Sequence, residues 1–188
     1  RISVLKIAMK HEFPIRSSHF QWTKENKMQE HLIIDGNNAL HAIPELEEEL
    51  NRDRNQARDS LLRLLEPLLS TEGCLLTVVF DGKGGPQSVS RYRDIEAFTV
   101  IFSSSAQGAD GVIERMLMAA KKPERIVVIT NDGLIRNCAY AHRASAMRVG
   151  EVLKRLDHGI ETAASIKKQA HGNRKAGKAF ENRIPFSK

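Results

Sequence analysis

From His31 onward, short apolar segments alternate with helical segments about every 25 residues. The apolar segments are LIID (32–35), LLTVVFD (75–81), FTVIFS (98–103) and RIVVITND (125–132). Each is short and rich in Val or Ile, which predicts a buried strand. Helices are predicted at 51–69, from the 104–111 segment to about residue 120, and at 134–143, with a short strand and a helix in 145–156. This alternation is typical of an α/β fold, a three-layer sandwich in which helices flank a mainly parallel central sheet.

A length of 188 residues suits one domain with tails. We expect the domain at 31–160, an N-terminal extension at 1–30 that is partly disordered, and a basic, flexible C-terminal tail at 161–188. Met28 is a candidate start of translation. Residues 31–164 have a net charge of −3, whereas residues 165–188 have +6. A basic tail beside an acidic body indicates a polyanionic partner, although a solvated tail without function is the simpler alternative.

Composition excludes several classes of protein. The chain has no apolar run of about 18 residues, so no transmembrane helix is predicted. Cys74 and Cys138 are its only cysteines and form no CxxC pair, which argues against a zinc site and favours a reducing compartment, hence a cytoplasmic location. Neither the P-loop pattern nor the GxGxxG pattern of dinucleotide-binding proteins is present.

Carboxylates follow the predicted strands. Asp35, Asp81 and Asp132 each end a strand, and Asp110 opens the helix after the third strand, with Glu114 one turn later. In a parallel sheet these positions meet at the carboxyl edge, where ligands bind. Crowded carboxylates repel one another, and oxygen ligands suit Mg²⁺ or Mn²⁺, which activate water for phosphodiester hydrolysis. The alternative for each Asp is an N-cap or a turn.

Other candidate residues are weaker. Asn38 is a candidate to orient Asp35, to touch substrate or to cap a helix. Thr130 is a candidate to bind a phosphate or a water, or to fill a strand position. Arg58 is a candidate phosphate ligand or a solvated helix residue. Arg91 and Arg93 flank Tyr92 and are candidates to grip a nucleic-acid backbone while the ring stacks on a base, the alternative being an exposed basic loop.

Five motifs, taken together, resemble the YacP-like branch of the NYN domains, within the PIN-like nuclease superfamily. They are IIDGNN (33–38), ARDSLLRLL (57–65), VVFDG (78–82), GADGVIE (108–114) and VVITND (127–132). The resemblance implies a parallel sheet flanked by helices, Mg²⁺ or Mn²⁺ at an acidic pocket, and endoribonuclease activity, in some members on ribosome-associated messenger RNA. Carried over, Asp35, Asp81, Asp110 and Asp132 form the acidic site, supported by Glu114 and Asn38.

Three positions depart from the pattern of this branch: Asn37 replaces its usual Tyr, Asn131 its usual Ser, and Gly108 its frequent Thr. None of these removes a carboxylate. We therefore expect a metal-dependent endoribonuclease that has Asp35, Asp110, Glu114 and Asp132 as metal ligands. The alternatives are an inactive relative that binds RNA or the ribosome, a DNA-directed nuclease, or another phosphohydrolase of related fold.

Overall fold

The computed structural model describes residues 29–82 and 84–176. Their core is a six-stranded sheet with the strand order β3-β4-β2-β1-β5-β6. The strands are β1 (His31–Asp35), β2 (Leu75–Phe80), β3 (Ser88–Arg91), β4 (Phe98–Phe102), β5 (Ile126–Ile129) and β6 (Ser145–Met147). All neighbouring pairs run parallel except β3 and β4, which are antiparallel. The predicted mainly parallel α/β fold is confirmed.

Seven α-helices connect and cover the strands in the described part of the chain. They are α1 (Gly36–Ala42), α2 (Pro44–Arg52), α3 (Arg54–Leu65), α4 (Pro67–Glu72), α5 (Gly108–Ala119), α6 (Gly133–Ala141) and α7 (Val149–Ala176). One core lies between the sheet and the layer of α1–α4 and α7, and the other lies between the sheet and α5 and α6. The three layers follow from β1, β2 and β5, which are almost wholly buried on both faces.

The single helix predicted over 51–69 is wrong. The carboxylate of Asp53 accepts hydrogen bonds from the amides of Asn55 and Gln56 and thereby starts α3 inside that range. Pro67 then starts α4 as a separate helix after α3 ends at Leu65. Three elements were also not predicted. They are the helix α1, the strand β3, whose four residues are all exposed, and the acidic helix α2, which buries only Leu46.

The long helix α7 is attached to the body at both ends of the sheet. Near the carboxyl edge, its first amide, that of Val149, donates to Asn131 Oδ1 at 3.2 Å. Near the amino edge, the Arg155 guanidinium donates to the Glu72 carboxylate at 2.6 and 2.9 Å and to Glu30 at 2.9 Å. This ion-pair network is partly buried and joins α7 to α4 and to the residue that precedes β1.

The same helix continues to Ala176, beyond the domain boundary predicted at residue 160. The prediction of an extension at 1–30 falls almost wholly outside the described residues, and so does the last part, 177–188, of the predicted tail. No helix among residues 29–82 and 84–176 is long and apolar enough to cross a membrane.

Candidate active site at the carboxyl edge of the sheet

Asp35 lies at the end of β1 and is only 5% exposed. Its Oδ1 accepts the amide of Asn38 at 3.1 Å and so caps α1, and its Oδ2 accepts the Thr130 hydroxyl at 3.1 Å. The capping alternative is therefore realised here. Capping alone, however, does not require burial, and N-cap carboxylates are ordinarily left in contact with water.

The glycine after Asp35 is required by the close approach of α1 to β2. A Cβ on Gly36 would collide with the ring of Phe80 and lie 2.9 Å from the carbonyl oxygen of Val79. Any larger residue would push α1, and with it the cap on Asp35, away from the sheet. In the Asp-Gly pair, a buried carboxylate is thus followed by glycine, the one residue without a Cβ and therefore the one that fits against β2.

Asp81 follows β2 and connects three elements. Its Oδ1 accepts the amide of Ala109 at 2.7 Å, at the start of α5, and its Oδ2 accepts the side-chain amide of Asn37 on α1. Ala109 directly precedes Asp110 in the sequence. The Asp81 carboxylate therefore helps to fix the position of Asp110, the next acidic residue of the edge. A negative charge at the first turn also suits the dipole of α5.

Asp132 caps α6 and accepts the amides of Leu134 at 2.6 Å and Ile135 at 3.4 Å, both through Oδ1. Its Oδ2 forms no hydrogen bond with any residue of the described part. Asp110 and Glu114 are exposed on α5 and likewise accept no hydrogen bond from a described residue. Asp132 Oδ2 and the carboxylate oxygens of Asp110 and Glu114 therefore have no hydrogen-bond donor among the described residues.

The carboxylates act on one another electrostatically. Burial raises the pKa of Asp35 above its ordinary value, repulsion from Asp110 and Asp81 raises it further, and hydrogen bonds from Asn38 and Thr130 oppose the rise. Loss of solvent also raises the pKa of Asp110, and Asp132 and Asp81 add repulsion. The strand-end carboxylates predicted from the sequence therefore lie close enough to repel one another, and they form one acidic region.

The donor chemistry of this edge suits a hard cation such as Mg²⁺ or Mn²⁺, because all its free groups are oxygens and a cation would offset the repulsion. As they are placed, however, the described residues include no group of three or more His, Cys, Asp or Glu side chains close enough to hold a metal ion. The residues available as ligands are Asp35, Asp110, Glu114 and Asp132. They would have to draw closer around an ion.

Thr130 and Asn38, which were predicted to bind substrate, form hydrogen bonds with neighbouring groups of the acidic edge. Thr130 is fully buried, and its hydroxyl donates to Asp35 while accepting the amide of Asp132 at 3.0 Å. Asn38 uses its Oδ1 to accept the amide of Asn131 at 2.7 Å. These contacts connect the ends of β1 and β5. Thr130 is therefore inaccessible to a phosphate, contrary to that alternative.

Arg58 is held inside the protein rather than presented to a phosphate. Its side chain is buried, its guanidinium lies 5.2 Å from the ring centre of Phe80 and 5.0 Å from that of Phe102, and one nitrogen donates to the Asp81 carbonyl at 2.8 Å. Burial lowers its pKa, as does Arg54 nearby, whereas Asp81 raises it. We interpret Arg58 as a support of the segment that carries Asp81.

Arg91 and Arg93 are not brought to the acidic edge. Strand β3 runs back from that edge, so that Arg91 pairs with Thr99 near the amino end of β4, about 10 Å from the carboxyl end of that strand. Arg93 packs 5.0 Å from the Tyr92 ring centre and pairs with Glu66 at 3.3 Å. The Tyr92 ring packs against Phe98 in the core and is only 8% exposed, so it is not available to stack on a base.

Sequence reasoning missed the side-chain amides of Asn37 and Asn131. Asn37 holds Asp81, and Asn131 accepts the first amide of α7 while its own amide is held by Asn38. Both lie close in sequence to a strand-end carboxylate, and this position was the one sequence feature that could have indicated their role. They were noted in the sequence only as departures from the pattern of a family.

Comparison with known proteins agrees with this fold. The crystal structure of Rae1 (YacP) from Bacillus subtilis is similar, with a TM-score of 0.62 and 24% sequence identity over 80% of this chain and 86% of the other. A Trp-to-Leu mutant of Rae1 gives a TM-score of 0.60 and 23% identity over 81% and 87% of the two chains. No curated protein gives a significant match.

A family model supplies the assignment. The model of the YacP-like NYN domain matches residues 32–186, which include every carboxylate of the acidic edge. The resemblance inferred from the five motifs is thereby confirmed, and membership supports a nuclease or RNA-related function. The chain belongs to the YacP-like NYN domain family.

Proposed function

We propose that this protein is a metal-dependent endoribonuclease that hydrolyses RNA phosphodiester bonds at the acidic carboxyl edge of its sheet. The observation that carries the proposal is the burial of Asp35 within reach of repulsion from Asp110 and Asp81. A fold maintains such an arrangement at a cost in stability, which a bound cation offsets. Membership in an NYN family supports the choice of nucleic acid as the substrate.

Asp35, Asp110, Glu114 and Asp132 would hold Mg²⁺ or Mn²⁺. When bound, such an ion would activate water and neutralise charge on the scissile phosphate. Among the protein's own groups, Thr130 and the Asn38 amide orient the Asp35 carboxylate, and Asp81 positions the first turn of α5, which carries Asp110. Asp81 is therefore a positioning residue in this proposal, through its bond to Ala109.

The finer parts of the proposal concern the substrate and its location. The basic C-terminal segment would contact RNA phosphates without regard to sequence. Ribosome-associated messenger RNA is the target that we propose, by analogy with the branch of the family to which the motifs point. A cytoplasmic location is proposed from the sparse cysteines, which suit a reducing compartment.

The deciding experiment is cleavage of a labelled structured RNA and of the same sequence as DNA, with Mn²⁺, with Mg²⁺ and with EDTA. We expect cutting of RNA only with metal, and loss of cutting in Asp35→Asn. Asp59→Asn is the matched control, because Asp59 lies on α3, is half-exposed and, within the described part of the chain, pairs with Arg63 and Tyr92. Cutting in EDTA, or equal cutting by Asp35→Asn, would contradict the proposal.

One observation favours a second function, a protein that binds RNA without cutting it. Three of the carboxylates, those of Asp35, Asp81 and Asp132, bind backbone amides, and the described residues include no group of three ligands placed to hold a metal. Metal-independent RNA binding without cleavage, by the wild type and by Asp35→Asn alike, would establish this second function.

A further inference from the structure

The outward surface of α6 and of the turn that follows it carries an exposed aromatic ring between two arginines. Tyr140 is 56% exposed and is the only exposed aromatic side chain in residues 29–82 and 84–176. Arg136 precedes it by four residues on α6, which places these two side chains next to each other on the helix surface. Arg143 follows the end of the helix, in a turn where its φ is 62°. Arg136 is half-buried and Arg143 is exposed. Ile135 and Ala139, on the adjoining side of the helix, are buried against the sheet.

The charge of this segment is unusual for the body of the protein. Residues 133–150 contain three arginines and no Asp or Glu, although residues 31–164 as a whole have a net charge of −3. The guanidinium groups of Arg136, Arg143 and Arg148 form no ion pair with any residue of the described chain, whereas those of Arg63, Arg93 and Arg155 do. Basic charge is therefore available on this face and is not neutralised by the fold.

The location of the face connects it with the acidic edge. Asp132 caps α6, so the helix starts at that edge, and Tyr140 lies about 12 Å farther along its axis. Arg148 follows β6 at the same carboxyl edge, and β6 is the outermost strand of the sheet on this side. A strand of nucleic acid that leaves the acidic edge along α6 would meet Arg136, Tyr140 and Arg143 in order.

We propose that this face of α6 binds single-stranded RNA, with a base stacked on Tyr140 and phosphates held by Arg136 and Arg143. The combination of an exposed ring with unpaired guanidinium groups is what single-strand binding surfaces use, because every base has a face to stack and every nucleotide a phosphate. The proposal rests on the proposed function in one respect, the choice of RNA as the polyanion.

The test is fluorescence anisotropy of a labelled oligouridine about 12 nucleotides long, bound by the full chain in EDTA at several salt concentrations. We expect Tyr140→Ala to weaken binding about tenfold and Tyr140→Phe to keep it within about twofold, since stacking survives in Phe. The double variant Arg136→Gln/Arg143→Gln should weaken binding and reduce the slope of log affinity against log salt by about 1.4.

The matched control is Arg52→Gln/Arg63→Gln, which removes the same charge from exposed positions on α2 and α3. We expect its affinity and salt slope to stay closer to the wild type than those of the α6 double variant. Unchanged RNA affinity in Tyr140→Ala overturns the inference. This is the result expected if the face binds a protein partner instead of RNA. So does equal weakening by both double variants, or a failure of the wild type to bind the oligomer at low salt.

The metal-dependent cleavage assay separates this inference from the proposed function. If cleavage requires Asp35 but RNA affinity does not depend on Tyr140, the proposed nuclease function is supported and the proposed α6 site is contradicted. If RNA affinity depends on Tyr140 but no RNA is cleaved, the proposed α6 site is supported and the proposed nuclease function is contradicted.

Discussion

The hydroxyl of Thr130 donates to the carboxylate of Asp35 at 3.1 Å, across the boundary between β5 and β1. Both side chains are buried, and the two residues are 95 positions apart in the sequence. The same hydroxyl accepts the amide of Asp132, so that one oxygen sets the relative position of two strand-end carboxylates. The acidic edge is thus a connected arrangement in which a change at one residue alters the others.

Replacement of Asp35 by Asn should remove activity and increase stability. The pKa of Asp35 is raised by burial and by its acidic neighbours, which means that its ionised form destabilises the folded state above that pKa. Asn keeps an oxygen for the Asn38 amide and carries no charge. We expect a higher midpoint of thermal unfolding in EDTA at pH 7, by about 2–4 °C for each kcal/mol gained.

The gain from Asp35→Asn should shrink as the pH falls, because the wild-type carboxyl then takes up a proton and loses its penalty. Unfolding curves at pH 7 and at pH 4.5 or so would show this difference. A variant less stable than the wild type at both pH values would mean that the two hydrogen bonds outweigh the charge.

Metal binding should be visible as stabilisation. A ligand that binds only the folded state adds about 2.7 kcal/mol when its concentration is a hundred times its dissociation constant. We expect Mn²⁺ to raise the unfolding midpoint of the wild type and to raise that of Asp110→Asn or Glu114→Gln much less. The control Asp59→Asn should respond like the wild type. Equal shifts in all four proteins would place the ion elsewhere.

Loss of Arg58 should affect stability. Arg58→Ala removes contacts with two aromatic rings and a hydrogen bond to the Asp81 carbonyl, and we expect it to lower the free energy of unfolding by about 2–3 kcal/mol. Arg58→Lys should restore only part of this, since an ammonium group does not match the planar contact. Urea unfolding measures both, and Arg63→Ala, at an exposed position of the same helix, should cost less than about 1 kcal/mol.

A result in which Arg58→Ala folds as stably as the wild type but binds RNA more weakly would restore the phosphate-binding alternative. Such a result would require the guanidinium to leave its position beside Phe80 and Phe102.

Stability should fall in mild acid because of His31. Burial lowers its pKa to about 4, and its Nε2 lies 2.8 Å from Thr77 Oγ1. Below pH 6.5 the unfolded chain takes up a proton that the folded chain does not, so this contribution to stability is complete above pH 6.5 and is lost progressively down to about pH 4.

Urea unfolding of the wild type and of His31→Gln at pH 7 and pH 5 would isolate the effect of His31. The difference between the two proteins is the informative quantity, because Asp35 and Asp110 act in the opposite direction. We expect the wild type to lose more stability than His31→Gln, by on the order of 1 kcal/mol. Identical losses would show that His31 becomes protonated in the folded state without cost.

The central sheet could be predicted from the sequence because its inner strands are buried on both faces and appear as short runs of Val, Ile and Leu. Strand β3 could not, since its SVSR residues are all exposed and carry no apolar pattern. The helix over 51–69 was joined wrongly because leucines continue at helical spacing across the break at Pro67, from Leu65 on α3 to Leu68 on α4.

The location of the strand-end acids could be inferred from the geometry of parallel sheets, whereas the partners of the surrounding side chains could not. Thr130 and Arg58 are bound by groups 95 and 23 residues away, so nothing in their local sequence distinguishes an internal role from contact with substrate. Arg91 and Arg93 lie away from the acids for a topological reason, since β3 runs antiparallel to β4 and leads toward the amino end of the sheet.

Helix α7 connects the two opposite edges of the sheet. It begins beside Asn131 at the acidic edge, reaches Glu30 and Glu72 at the other end of the sheet by Arg155, and continues for about 30 Å to Ala176. The helix therefore takes residues 165–176, four of which are Lys or Arg, to the side away from the acids. If the protein is the proposed nuclease, an RNA that is only long enough to occupy the acidic edge would not reach residues 165–176, so the two regions together would favour long or folded RNA.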